Sequence, residues 1–317
     1  MRILIMGAGS IGTVVGGFMA QAGHRVTLIG RASHMTAIRE SGLRISGIWG
    51  GHHVNTLDTR TDLAGLQRGD YDLVLITVKS YDTRQAVESI APLVDSHTLV
   101  CSYQNGLGNA EVIAEFVGWE RTVGARAIYG VWLPEPGHAE VTVIANPTAL
   151  GVYRPTAPAE RVREIAAAMD EAGLPTIYTE SIATVLWNKV AYNCALNPLS
   201  ALLDVPYGAL LDTEHTREIM REVVRELYAV ANAMSIRLDP PTPEEYIPLF
   251  FERLIPPTAA HYASMREDFR QHRRTEIDAL NGAIVRYAQR YGVPCPTNTL
   301  LTRLVHAREY SYSVRAR

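Results

Sequence analysis

Three polar residues share one face of an otherwise apolar stretch in the second half of the chain. Lys189, Asn193 and Asn197 are spaced i, i+4 and i+8, which aligns side chains over successive turns of a helix. An ammonium and two carboxamides are costly to bury, so they either satisfy one another and a neighbouring loop or bind the polar atoms of a ligand. A polar stripe on an apolar helix at a domain junction favours the ligand site. Pro198 cannot donate to the Cys194 carbonyl, which predicts a bend there.

A glycine-rich turn near the N-terminus has the spacing of a phosphate-binding loop. It follows an apolar run and precedes an amphipathic stretch, the context that a dinucleotide-binding turn requires. The first glycine permits the tight turn, the second admits the pyrophosphate and the third lets the helix pack on the strand. The alternative is a glycine turn that serves packing alone. The residues predicted to bind the cofactor here are Gly7, Ala8, Gly9, Ser10, Ile11 and Gly12.

The end of the second predicted strand bears on the choice of cofactor. An enzyme that uses NAD usually places Asp or Glu there, to bind the adenosine ribose hydroxyls. This chain instead reads Thr27-Leu28-Ile29-Gly30-Arg31, with a cation at the tip. A guanidinium suits a 2′-phosphate and can stack on adenine, although a solvated surface arginine is the alternative. The sequence therefore favours NADP, with Arg31 as a cofactor-binding residue.

Two further polar residues follow apolar runs in the first half of the chain. Lys79 lies at the carboxyl end of a predicted parallel strand, where open α/β sheets bind ligands. It is a candidate for contacting a phosphate or a carboxylate, or else it extends into solvent. Asn105 lies in a glycine-bearing turn after the next strand. Its amide is a candidate for the nicotinamide ribose, but Asn-Gly is also a common turn dipeptide.

The elements that must position these residues alternate between strand and helix in the first half. The predicted strands are nearly free of charge, as strands buried on both faces should be, and helix-like stretches separate them. Such alternation predicts a parallel, doubly wound Rossmann-type sheet. The predicted strands are Ile3–Met6, Val26–Ile29, Leu73–Val78, Leu99–Tyr103 and Val123–Ile128, and the helices between them are Thr13–Ala22, Asp82–Leu93 and Asn109–Phe116.

Two segments depart from this alternation. Residues 43–46 and 53–56, joined by Gly50-Gly51, predict a small hairpin inserted in the sheet. Several β-like runs within 129–153, separated by prolines and a glycine, predict extra antiparallel strands at one edge. A helix at about 158–172 and a strand at 176–179 then complete the domain.

The second half is predicted to be all-α. Apolar residues recur at helical spacing in Ile182–Leu203, Glu214–Met234, Thr275–Tyr291 and Thr297–Glu309. The chain therefore divides into an NADP-binding Rossmann-type domain, 1–180, and a helical substrate and catalytic domain, 181–317. Helical domains of this kind often dimerise, so a homodimer is an expectation, with 214–234 and 275–291 as candidate interfaces.

Composition excludes several classes of partner. The 317 residues carry 33 acidic and 30 basic side chains, which argues against broad attraction to nucleic acid or anionic membranes. No apolar run is long enough to span a bilayer, and the three cysteines form no disulfide or metal-finger pattern. These features predict a cytoplasmic protein with a small-molecule substrate. Adjacent His52 and His53 point to opposite faces of a strand, and no metal site is predicted.

Taken together, the motifs resemble those of the ketopantoate reductase (2-dehydropantoate 2-reductase) family, over nearly the whole length. The markers follow one another in the family's order. They are the glycine turn with Arg31, Thr77-Val78-Lys79-Ser80, Gln104-Asn105-Gly106-Leu107-Gly108, Trp187–Asn193 continuing to Asn197-Pro198-Leu199, and Ser264-Met265 followed by Thr275-Glu276-Ile277-Asp278.

The resemblance implies a specific chemistry for the polar stripe. The family reduces 2-dehydropantoate to pantoate, a step of pantothenate biosynthesis, with hydride from NADPH. Lys189 would then be the general acid that protonates the developing alkoxide, since partial desolvation lowers the pKa of a lysine. Asn193 and Asn197 would hold substrate oxygens and Ser264 its carboxylate. The resemblance also places Glu276 in the active site near the lysine and the cofactor ribose, whereas the residues alone predict a surface acid at a helix N-terminus.

Two positions depart from the family pattern and leave the substrate open. Tyr207 and His261 stand where the family usually has asparagine, which changes the size and hydrogen bonding of a substrate pocket. Both are candidate substrate contacts, with a merely structural histidine as the alternative. The leading hypothesis is reduction of 2-dehydropantoate. The alternatives are another branched or bulky keto substrate, or a non-catalytic NADP sensor, against which the joint presence of Lys189 and Glu276 argues.

Overall fold

The computed structural model describes residues 1–315, which divide into two compact units. The first comprises Met1–Gln104 and Asn109–Ile182, and the second comprises Asn105–Gly108 and the described residues from Ala183 on. The first unit contains the sheet and the second is helical. Among the described residues, no helix is long and apolar enough to cross a membrane.

The first unit is built on one sheet whose parallel part has the order of a dinucleotide-binding fold. The strand order is β4-β3-β9-β8-β7-β6-β1-β2-β5, and β10 pairs with β9. The strands are β1 (Arg2–Met6), β2 (Arg25–Ile29), β3 (Leu43–Gly47), β4 (His52–Val54), β5 (Asp58–Arg60), β6 (Leu73–Ile76), β7 (Leu99–Ser102), β8 (Thr122–Glu135), β9 (His138–Val152) and β10 (Thr176–Tyr178). From β5 to β8 all neighbours are parallel, which confirms the predicted Rossmann-type sheet.

Alternation along the strands divides the core of this unit into two layers. Ile3 and Ile5 of β1 belong to one buried apolar cluster, whereas Leu4 between them belongs to another. Successive side chains of a strand point to opposite faces, so both faces of the sheet are covered. The helices of this unit are α1 (Ser10–Gln21), α2 (Ala32–Ser41), α3 (Thr83–Ile90), α4 (Asn109–Val117) and α5 (Ala159–Glu171).

The antiparallel addition differs from the prediction. Residues 122–152 form one long hairpin of β8 and β9 rather than several short strands. Irregularities in the β8–β9 register, one of them where Ile128 pairs with Asn146 beside Pro147, let the strands continue past the proline. The hairpin is also not at the edge, because β9 pairs with β3, and β4 of the predicted small hairpin forms the edge.

The second unit is all-α, as predicted, but one helix begins later. Its helices are α6 (Ile182–Leu203), α7 (Glu214–Ala233), α8 (Pro243–Leu249), α9 (Ser264–Arg270), α10 (Asn281–Tyr291) and α11 (Pro296–Arg315). The predicted helix 275–291 was wrong in its first six residues. A 3-10 turn, Ile277–Ala279, precedes α10, and the backbone of Leu280 (φ −103°, ψ −111°) separates the two. α7, α10 and α11 pack on one another.

Candidate active site

The glycine turn is fixed at the carboxyl ends of β1 and β6. Gly7 has φ +111°, and a Cβ there would lie 2.7 Å from the backbone nitrogen of Val78. The amides of Gly7 and Ala8 both donate to the Ile29 carbonyl, over 3.1 and 2.7 Å. Thr77 donates its hydroxyl to the Gly7 carbonyl over 2.7 Å. The strained first residue therefore has to be glycine, and its conformation is held from two neighbouring strands.

The other two glycines of the turn differ in their surroundings: Gly12 is tightly packed, whereas the space beside Gly9 is open. A Cβ on Gly12 would lie 2.6 Å from the Gly7 carbonyl oxygen, so α1 can start this close to the turn only with glycine. A Cβ on Gly9 would meet nothing within 4 Å. No side chain caps the N-terminus of α1. An open approach to an uncapped helix N-terminus fits the pyrophosphate of a dinucleotide, whose charge the amides and the helix dipole favour.

At the end of β2, Arg31 is exposed and uncommitted. Its guanidinium has no hydrogen-bond or ion-pair partner among residues 1–315, and its backbone begins α2. On the neighbouring strand β5, the acid Asp58 pairs in register with Thr27. That carboxylate accepts from Arg60 over 2.8 Å and from Thr27 over 3.2 Å. Asp58, which the sequence analysis did not consider, is therefore paired with Arg60.

Lys79 lies in a loop that a buried polar network holds. Gln104 donates to the Val78 carbonyl and to the Thr83 hydroxyl, both over 2.8 Å. The Thr83 hydroxyl lies 2.9 Å from Asn109 Oδ1 and 2.8 Å from the Ser80 carbonyl oxygen, and these two acceptors share its single proton. Sequence reasoning missed this network, although Gln104 stands directly before Asn105 in the motif.

In the second unit, Lys189 and Asn105 are in direct contact. The Lys189 ammonium donates to Asn105 Oδ1 over 2.6 Å. The loop that carries Asn105 is docked on the turn before α10, because Leu107 donates its amide to the Ala279 carbonyl over 2.7 Å. Gly106 has φ +85°, and a Cβ there would lie 2.4 Å from the same carbonyl oxygen. The predicted lysine and the predicted Asn-Gly turn therefore lie in one group of residues in mutual contact.

The chain has only two lysines, and both are predicted site residues. Every other residue with a permanent positive side chain is arginine, as the printed sequence shows. Arginine stays protonated in proteins, whereas the pKa of lysine shifts readily with burial. A lysine in contact with a loop amide, in a chain that otherwise uses arginine, is consistent with a group that must release a proton.

Helix α6 runs through Pro198 without ending. Proline cannot donate to the Cys194 carbonyl, and Asn281 of α10 supplies the missing donor, its Nδ2 lying 3.1 Å from that oxygen. Asn281 is fully buried and also donates to Asn298 over 2.9 Å. Sequence reasoning missed Asn281, and the only available signal was the carbonyl that Pro198 leaves without a helical partner.

The two departures from the family pattern are neighbours in space. The rings of Tyr207 and His261 are T-shaped with centroids 5.3 Å apart, and the Tyr207 amide donates to the His261 carbonyl over 2.9 Å. The Tyr207 hydroxyl donates to Asn197 Oδ1 over 2.6 Å. Burial raises the pKa of Tyr207 well above its ordinary value, so this phenol remains a donor. Desolvation by the surrounding protein groups lowers the pKa of His261, although the residue as a whole is exposed.

The remaining predicted residues lie on separate elements of the second unit. Asn193 is half-buried, and its amide has no hydrogen-bond partner among the described residues. Ser264 is exposed in the first turn of α9, whose preceding residue Ala263 donates its amide to Ser200 over 3.3 Å. Glu276 is half-buried and precedes the 3-10 turn, with its carbonyl accepting from Ala279, so it does not open a helix as predicted.

The adjacent histidines His52 and His53, at which no metal site was predicted, contact other protein groups. His52 contacts Gln21 Oε1 over 2.9 Å and the Trp49 carbonyl over 2.8 Å, and His53 contacts the Ser41 carbonyl over 2.8 Å. Among residues 1–315 no group of three or more potential metal ligands was found.

The fold and these groups of residues define a class, the dinucleotide-dependent oxidoreductases with a helical second unit. The family model described as Ketopantoate reductase PanE/ApbA matches residues 3–155, and the model of its C-terminal part matches residues 181–309. The chain belongs to the ketopantoate reductase family, a family of nicotinamide-dependent reductases.

Similar proteins cover the chain from end to end. The 2-dehydropantoate 2-reductase of Aquifex aeolicus is 37% identical over 98% of this chain and 97% of its own, and that of Pyrococcus horikoshii is 39% identical over 98% of each. A crystal structure of a PanE/ApbA family ketopantoate reductase from Ralstonia eutropha JMP134 has a TM-score of 0.87 at 33% identity, covering 98% and 99% of the two chains. A D-mandelate dehydrogenase with NADH and anilino(oxo)acetate has a TM-score of 0.86 at 29% identity, with the same coverage.

Proposed function

We propose that this protein reduces a 2-keto acid to a 2-hydroxy acid with NADPH, and that the substrate is 2-dehydropantoate, reduced to pantoate. The relatives named for this reaction match the chain over nearly its whole length. The observation that carries the proposal is the 2.6 Å hydrogen bond from Lys189 to Asn105. It ties one of the chain's two lysines to a loop that the family motif contains.

The cofactor would be held mainly by the first unit. The residues proposed to hold its pyrophosphate are Gly7, Ala8, Gly9, Ser10, Ile11 and Gly12, with Lys79 as a further contact and Asn105 at the nicotinamide ribose. When bound, the nicotinamide supplies the hydride. NADPH is preferred because the uncommitted guanidinium of Arg31 suits a 2′-phosphate, while Asp58 is already bound to Arg60. The D-mandelate dehydrogenase neighbour contains NADH, so family membership alone does not decide this choice.

Lys189 is proposed to protonate the substrate oxygen. In the resting arrangement Asn105 Oδ1 accepts from its ammonium and orients it. An ammonium beside a keto oxygen also polarises the carbonyl before reduction and transfers a proton as negative charge develops. Asn193, Asn197 and Ser264 would hold the other substrate oxygens, and Glu276 would act beside the lysine and the ribose.

The proposal is tested by following NADPH oxidation with 2-dehydropantoate and with a panel of other 2-keto acids. Wild type is compared with Lys189→Arg, which keeps the charge but does not release a proton near neutral pH. Loss of the general acid should lower kcat by about 10²–10⁴-fold. Arg25→Lys, at the exposed start of β2, is the matched control and should keep full activity. Undiminished turnover by Lys189→Arg would exclude the lysine as proton donor.

A second candidate is reduction of a bulkier 2-keto acid. The contact of Tyr207 with both Asn197 and His261 favours it, because an aromatic pair occupies positions where small amides are usual. A neighbour in structure is named for mandelate, which carries a phenyl group. The substrate panel separates the two candidates, and Tyr207→Asn with His261→Asn should then shift kcat/KM towards 2-dehydropantoate. Unchanged ratios would exclude these residues from specificity.

The domain assignment is part of the proposal. Residues 1–180 would bind NADP, and 181–317 would bind the substrate and supply the catalytic groups. A homodimer in the cytoplasm remains a prediction, which light scattering of the purified protein tests for its oligomeric part.

A further inference from the structure

The turn that precedes α10 is fastened to the C-terminal helix by two carboxylates and one histidine. His306 of α11 contacts Asp278 of the turn, Nε2 to Oδ1, over 3.0 Å. Its other ring nitrogen, Nδ1, lies 3.1 Å from Oε2 of Glu309, one turn further along α11. The second oxygen of Glu309 accepts the amide of Thr275 over 2.7 Å. These contacts hold the turn at both of its ends, with Glu276 between them.

The same turn supports the loop that accepts the hydrogen bond from Lys189. The Ala279 carbonyl accepts the Leu107 amide over 2.7 Å, and the close approach of Gly106 to that carbonyl leaves no room for a side chain. Asn105, two residues before Leu107, accepts from Lys189. A continuous series of contacts therefore runs from His306 through the turn to the lysine.

The charges around His306 favour its protonated form. Asp278 and Glu309 are its two anionic partners, Arg274 donates to the other oxygen of Asp278 over 3.0 Å, and Arg286 donates to the Asp278 carbonyl over 2.8 Å. Partial burial opposes the positive charge, but hydrogen bonds and attraction from the two carboxylates outweigh it and raise the pKa of His306. Burial likewise opposes the charge on Asp278, yet Arg274 and His306 lower the pKa of that carboxyl.

The number of N–H groups on the imidazole decides how many carboxylates it can hold. An imidazolium donates from both ring nitrogens, so it binds Asp278 and Glu309 together. A neutral imidazole has one N–H and turns a lone pair towards the other carboxylate, so one of the two contacts is lost. Deprotonation therefore loosens the connection between α11 and the turn.

We propose that His306 is a positioning residue, which as an imidazolium holds the 275–279 turn and through it Glu276 and the Asn105 loop in their places beside Lys189. The inference rests on the proposed function in that Lys189 and Glu276 are taken as the groups that act on the substrate. It adds a pH dependence. Activity should fall as the solution becomes alkaline enough for His306 to lose its proton, because misplaced catalytic groups slow the reaction.

The closing experiment observes Lys189 directly and needs no substrate. The full chain is produced with ¹³C-labelled lysine, and its two lysine side chains give two NMR signals, which Lys189→Arg assigns. In wild type the Lys189 signal should show a step as His306 titrates. In His306→Gln, which is never charged, the step should be absent. His306→Arg keeps a permanent charge with several donors, so it should keep the low-pH signal of wild type through the pH range in which His306 titrates, and only the titration of Lys189 itself should remain. His215→Gln, at an exposed position on α7, is the matched control and should behave as wild type.

Turnover provides the second readout. With whichever 2-keto acid of the panel is reduced, His306→Gln should lower kcat at neutral pH by between about tenfold and a hundredfold, while KM changes little. It should also remove the part of the alkaline fall that follows the titration of His306, and leave the limb that Lys189 sets as general acid. His306→Arg should restore kcat. If no keto acid is turned over, the proposed function fails while the lysine signal still decides the role of His306. A Lys189 signal with the same pH dependence in wild type and His306→Gln overturns the inference.

Discussion

Asn281 donates its side-chain amide to the carbonyl of Cys194, over 3.1 Å, at the place where Pro198 leaves that carbonyl without a helical donor. The bond lets α6 continue as a single helix of 22 residues. Without it, a buried carbonyl would lie unsatisfied in the helix that carries Lys189, Asn193 and Asn197. One buried amide on another helix thus permits a proline in the helix that bears the polar stripe.

We expect this compensation to be measurable as a coupling energy. Asn281→Ala should lower the free energy of unfolding by about 2–3 kcal/mol, because a buried carbonyl loses its donor. In a Pro198→Ala background residue 198 supplies the helical bond, so the same substitution should cost about 1 kcal/mol less. Urea unfolding of wild type, the two single variants and the double variant gives the coupling energy as a double-mutant cycle. Asn232→Ala, at an exposed position near the end of α7, should be nearly neutral, and a coupling energy of zero would contradict the account.

Replacing the amide of Asn105 by a carboxylate should hold the proton on Lys189. Asn105→Asp is nearly isosteric, and an anion 2.6 Å from the ammonium should raise the pKa of Lys189. A general acid that is harder to deprotonate is a weaker donor, so kcat should fall while the alkaline limb of the pH profile moves upward. The ¹³C signal of Lys189 measures its pKa. Steady-state turnover measures kcat and the pH profile. Asn55→Asp, in a loop of the first unit, is the control, and an unmoved Lys189 pKa would contradict the prediction.

Arg31 should determine the preference between NADPH and NADH. Arg31→Ala removes the exposed cation that follows β2 and should raise KM for NADPH by about tenfold to a hundredfold, because hydrogen bonds to a phosphate are charge-assisted. KM for NADH should change little. Arg25→Ala, at the other end of the same strand, tests whether general positive charge suffices. Equal effects of Arg31→Ala on both cofactors would argue against a 2′-phosphate contact.

His34 should contribute to loss of stability in mild acid. It is buried, with Nδ1 accepting the Gly137 amide over 3.0 Å and Nε2 3.0 Å from the Thr13 hydroxyl, and burial lowers its pKa. The unfolded chain therefore takes up a proton first as pH falls below about 6.5, and stability present at neutral pH is lost from there down to the folded pKa.

The measurement is the urea midpoint between about pH 5 and 8. In His34→Gln the stability should fall less steeply as the pH is lowered, by a slope that corresponds to about one proton taken up on unfolding, whatever the absolute stability of the variant. His24 and His261, whose pKa values are also lowered by burial, remain in the variant, so some dependence should persist. His97→Gln, at an exposed position, should keep the wild-type slope. An unchanged slope in His34→Gln would show that His34 does not contribute to the loss of stability in mild acid.

The parallel part of the sheet was predictable because its strands are buried on both faces and therefore read as short apolar runs. The long β8–β9 hairpin was not, since its register irregularities disturb the period of two and Pro147 resembles a strand end. The start of α10 was missed for a similar reason. Helical spacing of apolar residues extends back to Thr275, but the backbone of Leu280 interrupts the helix without a glycine or proline to mark it.

For the candidate site, residue types were easier to predict than their contacts. The stripe on α6 follows from spacing alone. The bond from Lys189 to Asn105 joins residues 84 positions apart, and only the docking of a loop on the Ala279 carbonyl brings them together. Tyr207 and His261 were singled out separately, and their mutual contact depends on the path of the backbone between them. Local pattern carries no information about such pairings.

The helical unit is assembled from two pieces of chain, because Asn105–Gly108 belongs to it although residues 1–104 and 109–182 do not. That arrangement has a genealogical consequence. A recombinant with its breakpoint near residue 182 would take Lys189 from one parent and its hydrogen-bond acceptor, Asn105, from the other. Exchange of whole halves between relatives is therefore constrained by the four residues Asn105–Gly108, which are encoded far upstream of the breakpoint.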